Sequence, residues 1–366
     1  MSRSLTKEIA YKALQNIFTQ KPFIMFGTGT SCAVDISFGM DALKKHLLTE
    51  IPKKPLQPNQ QKQWVSVVDS LGKGSDLESA MDALTDEDLR QLVVESTAEL
   101  ITSLDKKYGV KIASGENIWP ASSLFKRLVD GLPEGDRALH VATPNYDLLA
   151  EYAFEYADLP YITGFTGGIC GHIDWDQAKH GVMYEEETVI RKKISKTKKL
   201  KKHIRLYKVH GSLNTFIIGN RIVQNNSWMY DRPDNIKRIM IIPGTSKFEY
   251  LHQYRSELLL EYDQAVNKHS TFLFVGFGFN DKQLCNNAIV KKLMEQKCPG
   301  LIITRDSNER IENLLKECEN LWLVCKHKDV GNEGTRIYNS RYDNWLNIDG
   351  KKLWDSSFFT QEILGG

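Results

Sequence analysis

Seven short apolar runs decide what this chain can become. "FIMFG" (23–27), "LHVAT" (139–143), "LYKV" (206–209), "IMII" (239–242), "TFLFVGFG" (271–278), "LIIT" (301–304) and "LWLVC" (321–325) are four to eight residues long. They are short for buried helices, and almost continuously apolar rather than alternating, as strands covered on both faces are. Helical patterns separate them, and segments 281–296 and 307–318 read as crossover helices. This alternation predicts an α/β fold: a Rossmann-like, doubly wound, mostly parallel sheet. In such sheets ligands sit beyond the carboxyl ends of the strands, so the residues that close each run are the first candidates for chemistry.

Residues 52–136 break the rhythm. "KKPLQPNQQ" is a polar entry, and "WVSVVDSL", "LESAMDALTDEDLRQLVVESTAELITSLDKKYG" and "SSLFKRLVDGL" are helical in pattern. Thr85, followed three residues later by Asp88, marks a helix start. The reading is a core of 1–51 and 137–366 with a helical insertion at 52–136. The amino-terminal "MSRSLTKEIAYKALQNIF" is an amphipathic helix without the apolar stretch of a signal peptide, and no run approaches the length of a membrane span. A cytoplasmic protein with no membrane contact is expected.

Nine of the fifteen residues in "RKKISKTKKLKKHIR" (191–205) are Lys or Arg. The segment is either a solvated loop or helix face, or a contact for nucleic acid or an acidic partner. No aromatic residue is interleaved, so base stacking has no support there. The net charge of the whole chain is only +2, which does not mark it as a nucleic-acid binder. The cysteines, at 32, 170, 285, 298, 318 and 325, include no pair at metal-site spacing and read as buried free thiols in a reducing compartment. No metal is expected.

The strand-end residues form one series. The first strand hands over to Gly27, Thr28, Gly29 and Ser31; the second to Thr143, Asn145 and Asp147 in "TPNYD"; the third to "HGS", His210 to Ser212. The 271–276 strand leads into "GFGFND", with Gly276, Phe277, Asn280 and Asp281, and the 301–304 strand into Thr304 of "TRD". Taken singly, Asn145 is explained as a turn residue and Asp281 as a helix cap. If the strands are parallel, all five groups lie along one edge. The Gly27–Gly29 loop is not a dinucleotide fingerprint, because position 32 is Cys and the acidic residue about twenty positions on, Glu50, falls in a helical run. Its glycines let backbone approach a ligand closely, and Ser31 adds a hydroxyl beside backbone amides.

Gly-x-Gly-x-Ser, Thr-x-Asn-x-Asp, His-Gly-Ser and Gly-x-Gly-x-x-Asp, in this order, resemble the NAD-binding core of the sirtuins. The resemblance covers about 21–51 and 137–325. Two departures stand out. No cysteine lies between Gly211 and Gly276, where sirtuin deacylases carry zinc-binding cysteine pairs, so no zinc ribbon is expected. "AVDISFGM" replaces their "GIPDFR"-type continuation. The chain is more similar to the sirtuin-like NAD hydrolases of bacterial anti-phage defence, and among them to the subunit that pairs with a HerA-type hexameric ATPase and DNA translocase.

That resemblance implies an NAD glycohydrolase that takes NAD as substrate. Asn145 would hold the nicotinamide-ribose hydroxyls or the attacking water, and His210 would be the general base, with Asp147 as a supporting partner. Gly27, Thr28, Gly29 and Ser31 would receive the pyrophosphate. Thr143 belongs to the same set; Gly276, Phe277, Asn280 and Asp281 would shape the ribose and adenosine side, and Thr304 the adenosine end. Because free NAD hydrolysis would poison its host, the resemblance also implies activity gated by assembly as a homo-oligomer and with the HerA-type partner. The helical insertion and the basic run are the expected assembly surfaces. Three other readings remain at this point: a deacylase or ADP-ribosyl transferase on the same fold, a non-catalytic NAD or ADP-ribose sensor, and a DNA-binding or nuclease subunit using 191–205.

Overall fold

The computed structural model describes residues 3–190, 193–242, 258–281, 288–327, 329 and 333–365. In chain order its strands are β1 (Phe23–Phe26), β2 (Ala138–Thr143), β3 (Tyr161–Ile162), β4 (Phe165–Thr166), β5 (Gly171–Ile173), β6 (Met183–Ile190), β7 (Lys193–Leu200) and β8 (His203–Lys208). They continue with β9 (Gly211–Ile218), β10 (Arg221–Gln224), β11 (Lys237–Met240), β12 (Phe272–Val275), β13 (Gly300–Ile303), β14 (Leu321–Lys326), β15 (Thr335–Tyr338) and β16 (Leu346–Ile348). The main sheet has the order β16-β15-β14-β13-β12-β1-β2-β8-β3. From β14 to β3 all neighbours are parallel; β15 and β16 extend the sheet antiparallel. The chain steps from β1 to β2 on one side and places β12 on the other. The carboxyl end of β1 is therefore the topological switch point, where such sheets open a crevice.

Alternation along the strands builds two cores. Ile24, Phe26, Leu139, Val141, Leu273 and Val275 point to one face, while Phe23, Met25, Ala142, Phe272 and Phe274 point to the other. Helices 260–268, 289–294 and 309–317 cover the second face. The first face is covered by α1 (Lys7–Thr19) and by the helices between β1 and β2. These are α2 (Gly29–Cys32), α3 (Met40–Glu50), α4 (Pro58–Gly72), α5 (Leu77–Met81), α6 (Glu87–Ala113) and α7 (Ser122–Asp130). Trp64, Leu77, Leu89, Ile101 and Phe125 of that helical region share one apolar cluster with the sheet. After β2 the chain enters α8 (Leu149–Tyr156).

The doubly wound sheet agrees with the α/β expectation, and four details differ from the sequence reading. The 239–242 run does not join the main sheet: β11 pairs antiparallel with β9 in a second sheet of order β11-β9-β10-β5-β4. Helix α6 is capped by Asp86, whose carboxylate accepts from Leu89 N, one residue beyond the expected start at Thr85. Among its described residues the basic run is mostly strand, with Lys201 and Lys202 linking two strands. Lys193–Leu200 forms β7, paired antiparallel with β6 so that Glu185 faces Lys198 and Glu187 faces Lys196, and His203–Arg205 open β8. Arg191 and Lys192, like 282–287 of the expected crossover helix, lie outside the described residues. Finally, Cys298, Cys318 and Cys325 are buried thiols as expected, but Cys170 is exposed and Cys32 half-buried; Cys285 lies outside the described residues.

Candidate active site at the strand ends

A cleft of about 350 Å³ opens at the switch point, within the range of small-molecule sites. Of the residues singled out above, Gly27, Thr28, Gly29, Asn145, Asp147, His210, Gly276, Phe277, Asn280, Asp281 and Thr304 line it. Ser31 and Thr143 do not; they stand directly behind the lining and hold it.

The wall from β1 and β12 is backbone against backbone. The register Phe26 to Val275 sets Gly27 beside Gly276, and Gly29 N donates to Gly276 O at 2.9 Å. A Cβ on Gly27 would lie 2.7 Å from Gly276 O, and one on Gly276, at φ +57°, 2.7 Å from Thr30 N. The glycines thus let two loops approach each other, where the sequence suggested close approach to a ligand. The amides of Gly29, Thr30 and Ser31 are committed to the carbonyls of Gly276, Gly27 and Thr28. The ring of Phe277 packs among Phe274 and Phe279, so this residue reaches the cleft as part of the core. Arg310 donates to Asn280 O and Asn308 to Gly278 O, which ties the loop to the start of helix 309–317.

The wall from β2 and β8 is built of side chains. Asn145 N donates to Thr143 Oγ1 at 3.1 Å, which tightens the turn. Asn145 Nδ2 donates to Gly27 O at 3.2 Å and to Ser31 Oγ at 3.1 Å, while Ser31 Oγ donates to Asp147 Oδ2 at 2.8 Å. A carbonyl can only accept, so these bonds fix which end of the amide is which. Asn145 Oδ1 is left buried with no hydrogen-bond partner, in a residue 5% exposed that lines the cleft. An unmet buried acceptor costs about 1–3 kcal/mol, which a ligand hydroxyl or a water would recover.

His210 stands where β8 ends. Gly211 follows at φ +74°, where a Cβ would run into the Ile239 carbonyl, and Ile241 N donates to His210 O at 2.9 Å. The β11 strand thereby seats the histidine. His210 Nε2 lies 2.8 Å from Asp281 Oδ2, and both side chains are buried. The sequence reading put Asp281 on the adenosine side and offered Asp147 as the supporting carboxylate. In the structure Asp147 supports Asn145 through Ser31, and the carboxylate that touches the imidazole is Asp281. A carboxylate on Nε2 favours the proton there and orients the ring.

Several lining residues were invisible in the motif series. Phe38, Met40, Leu43, Leu77, Glu78 and Ile101 come from the helical region after β1. Tyr146 donates to Ile241 O at 2.6 Å, and its ring lies 6.5 Å from that of His210. Beneath the turn, Lys208 Nζ lies 3.1 Å from Glu151 and donates to Asp147 O at 2.5 Å. A lysine inside the apolar "LYKV" and a glutamate inside "LLAEYA" were the available signals for this pair. Among the described residues there is no group of three or more His, Cys, Asp or Glu arranged to hold a metal, and no helix is long and apolar enough to cross a membrane.

A model of the SIR2-like domain family matches residues 139–322, from β2 to β14. The chain belongs to the SIR2-like family. Its members use NAD, so the cleft is consistent with NAD-related activity. The match covers the Asn145 turn, His210, the 276–281 loop and Thr304; the Gly27–Ser31 loop and the helical region lie before it. No curated protein matches the chain.

Proposed function

We propose that this SIR2-like protein hydrolyses the nicotinamide–ribose bond of NAD, giving nicotinamide and ADP-ribose. The observation that carries the reading is Asn145 Oδ1, a buried acceptor without a partner on the wall of a cleft that also holds the His210–Asp281 pair. Cleavage builds positive charge on the ribose. The C–N bond breaks with its electron pair passing to the pyridinium nitrogen, and a water oxygen bonds to the anomeric carbon. Asn145 Oδ1 accepts from a ribose hydroxyl or from that water and fixes its direction. The water's proton passes to His210, whose positive charge Asp281 stabilises. The glycine loops and the 276–281 loop bound the rest of the dinucleotide, and Thr304 lies at its far end.

Water as acceptor, rather than an acyl-lysine peptide, is favoured by the segment after His210: it supplies β9, β10 and β11 of the small second sheet from a stretch with no cysteine between Gly211 and Gly276. The motif order also supports a role in anti-phage defence by NAD depletion, as a homo-oligomer with a HerA-type ATPase partner. The deciding experiment is nicotinamide release from NAD by purified protein, alone and with that partner, with Asn145→Ala alongside. Release by the parent and not by the variant is expected. Tight NAD binding without release in either setting would make the protein a sensor instead.

A further inference from the structure

Helix α6 lies before the SIR2-like match, yet it holds both walls of the cleft. Asp105 is fully buried. Its Oδ1 accepts from Leu148 N at 2.7 Å and its Oδ2 from the Tyr152 hydroxyl at 3.3 Å. Leu148 is the cap residue of α8 and has no capping side chain of its own, so Asp105 meets from another element one of the amides that a helix start leaves open. Leu148 directly follows Asp147, which also accepts from Leu149 N and from Ser31, and Ser31 in turn accepts from Asn145. A continuous set of bonds therefore runs from Asp105 to the Asn145 amide, whose partnerless oxygen is buried in the wall of the cleft.

One turn further along α6, the Tyr108 hydroxyl donates to Asp35, and Lys107 Nζ lies 3.8 Å from the same carboxylate. Asp35 caps the short turn Ile36–Phe38 by accepting from Ser37 N at 2.8 Å, and Phe38 lines the cleft. That turn continues the Gly27–Ser31 loop. Asp105 and Tyr108, three positions apart on one helix face, thus grip the β2 wall and the β1 wall respectively. Neither side chain lines the cleft.

We infer that α6 is the positioning element of the site: Asp105 and Tyr108 set the spacing of the two walls and so the direction in which Asn145 presents its free oxygen. The consequence for NAD turnover rests on the proposed hydrolase reading; the mechanical claim does not. The test compares Asp105→Leu, which removes the acceptor, Asp105→Asn, which keeps one, and Tyr108→Phe. Two quantities are read: amide hydrogen exchange over 144–150 and over the β12–β13 strands, and the kcat and KM of nicotinamide release.

In Asp105→Leu, exchange at 144–150 is expected to accelerate by at least about tenfold while β12–β13 stays protected. Its kcat is expected to fall roughly 10- to 100-fold with KM changed less, since misplacement of about 1 Å costs on that order. Asp105→Asn restores most of both quantities, and Tyr108→Phe loses a smaller part of kcat. Unchanged exchange at 144–150 in folded Asp105→Leu would overturn the inference, as would equal losses of kcat in the Leu and Asn variants. Should Asp105→Leu fail to fold, the milder Asn and Phe variants decide by the same exchange readout. Should the parent release no nicotinamide at all, the hydrolase reading fails, and exchange at 144–150 still decides whether α6 positions the turn.

Discussion

The two walls of the cleft are held by opposite means. On the β1–β12 side Gly27 and Gly276 meet backbone to backbone, and the loop amides of Gly29, Thr30 and Ser31 are already bonded to carbonyls. On the β2–β8 side the turn is held by side chains: Ser31 and Asp147 beneath Asn145, Lys208 against Glu151, and Asp105 from α6. The first wall is fixed by shape, and the groups that bear on chemistry stand on or against the second. Backbone packing gives a rigid edge with few open valences, whereas a side-chain network can leave one acceptor unmet and aimed at a ligand. The same network depends on the ionisation of buried groups, which shape alone does not.

If that division is right, the largest losses follow changes that leave both walls standing. His210→Ala is expected to lower nicotinamide release by about 10²–10⁴, as a general base does, and Asn145→Ala by about 10²–10³. Thermal melts should show that both variants remain folded. Near-parental rates in either folded variant would remove that residue from the chemistry. Asp281→Asn sits between: an amide keeps contact with the imidazole but loses the charge that stabilises its protonated form.

Gly276→Ala addresses the shape-held wall. The new methyl meets the Gly29–Thr30 backbone while its residue sits at φ +57°, so strain and crowding together should cost roughly 2–5 kcal/mol of stability. A chemical-denaturation midpoint reads it directly. Loss of activity without loss of stability would mean that the glycine serves a bound ligand rather than the facing loop.

The charge-held wall should respond to pH. Burial, followed by the Asp147 and Glu151 carboxylates, pushes Asp105 up to about 7, against the Leu148 amide and Lys208, which favour the ionised form. Between the unfolded value near 4 and about 7 the folded protein keeps a proton that the unfolded chain has released. Stability from this group is therefore full below pH 4 and is lost as pH rises through 7, by up to about 4 kcal/mol. Burial also raises Glu151, with the same sign, so the parent and Asp105→Asn must be compared. The melting temperature of the parent should fall between pH 5 and pH 8 more steeply than that of the variant; parallel slopes would show that Asp105 does not titrate there.

What could be read in the sequence follows from the same contrast. A buried parallel strand is an apolar run that stops at a polar residue, so its end is visible, and eleven of the thirteen residues taken from strand ends line one cleft. The glycine pair was visible but its purpose was not, because position 27 meets position 276 only through the register of β1 on β12. Asp105, Lys208 and Glu151 are single charged residues in patterns that otherwise predict a helix or a strand; only packing shows that they are buried together. The helical wall of Leu77, Glu78 and Ile101 was missed for a related reason: the segment reads as an insertion beside the core, while its helices cover one face of the sheet. The "IMII" run of β11 has the composition of a central strand of the parallel sheet, yet β11 pairs antiparallel with β9, because composition does not choose a partner.

Lysine gives the smallest and sharpest test of the division, since the chain uses it in both settings. Lys208 is buried against Glu151, where removing one partner would strand a charge. Lys196, on the β6–β7 ribbon, is exposed and lies 2.9 Å from Glu187 and 3.7 Å from Glu185. Water screens such a pair, and two flexible side chains must be ordered to make it, so it adds little. Lys196→Ala is expected to move the melting temperature by less than about 1 °C, and the small change should vanish at high salt. The ribbon's glutamates face the lysines that the sequence offered to nucleic acid. Changing Glu185, Glu186 and Glu187 to Gln should therefore strengthen any salt-sensitive binding of duplex DNA, whereas equal binding by parent and variant would remove the basic run as a DNA contact.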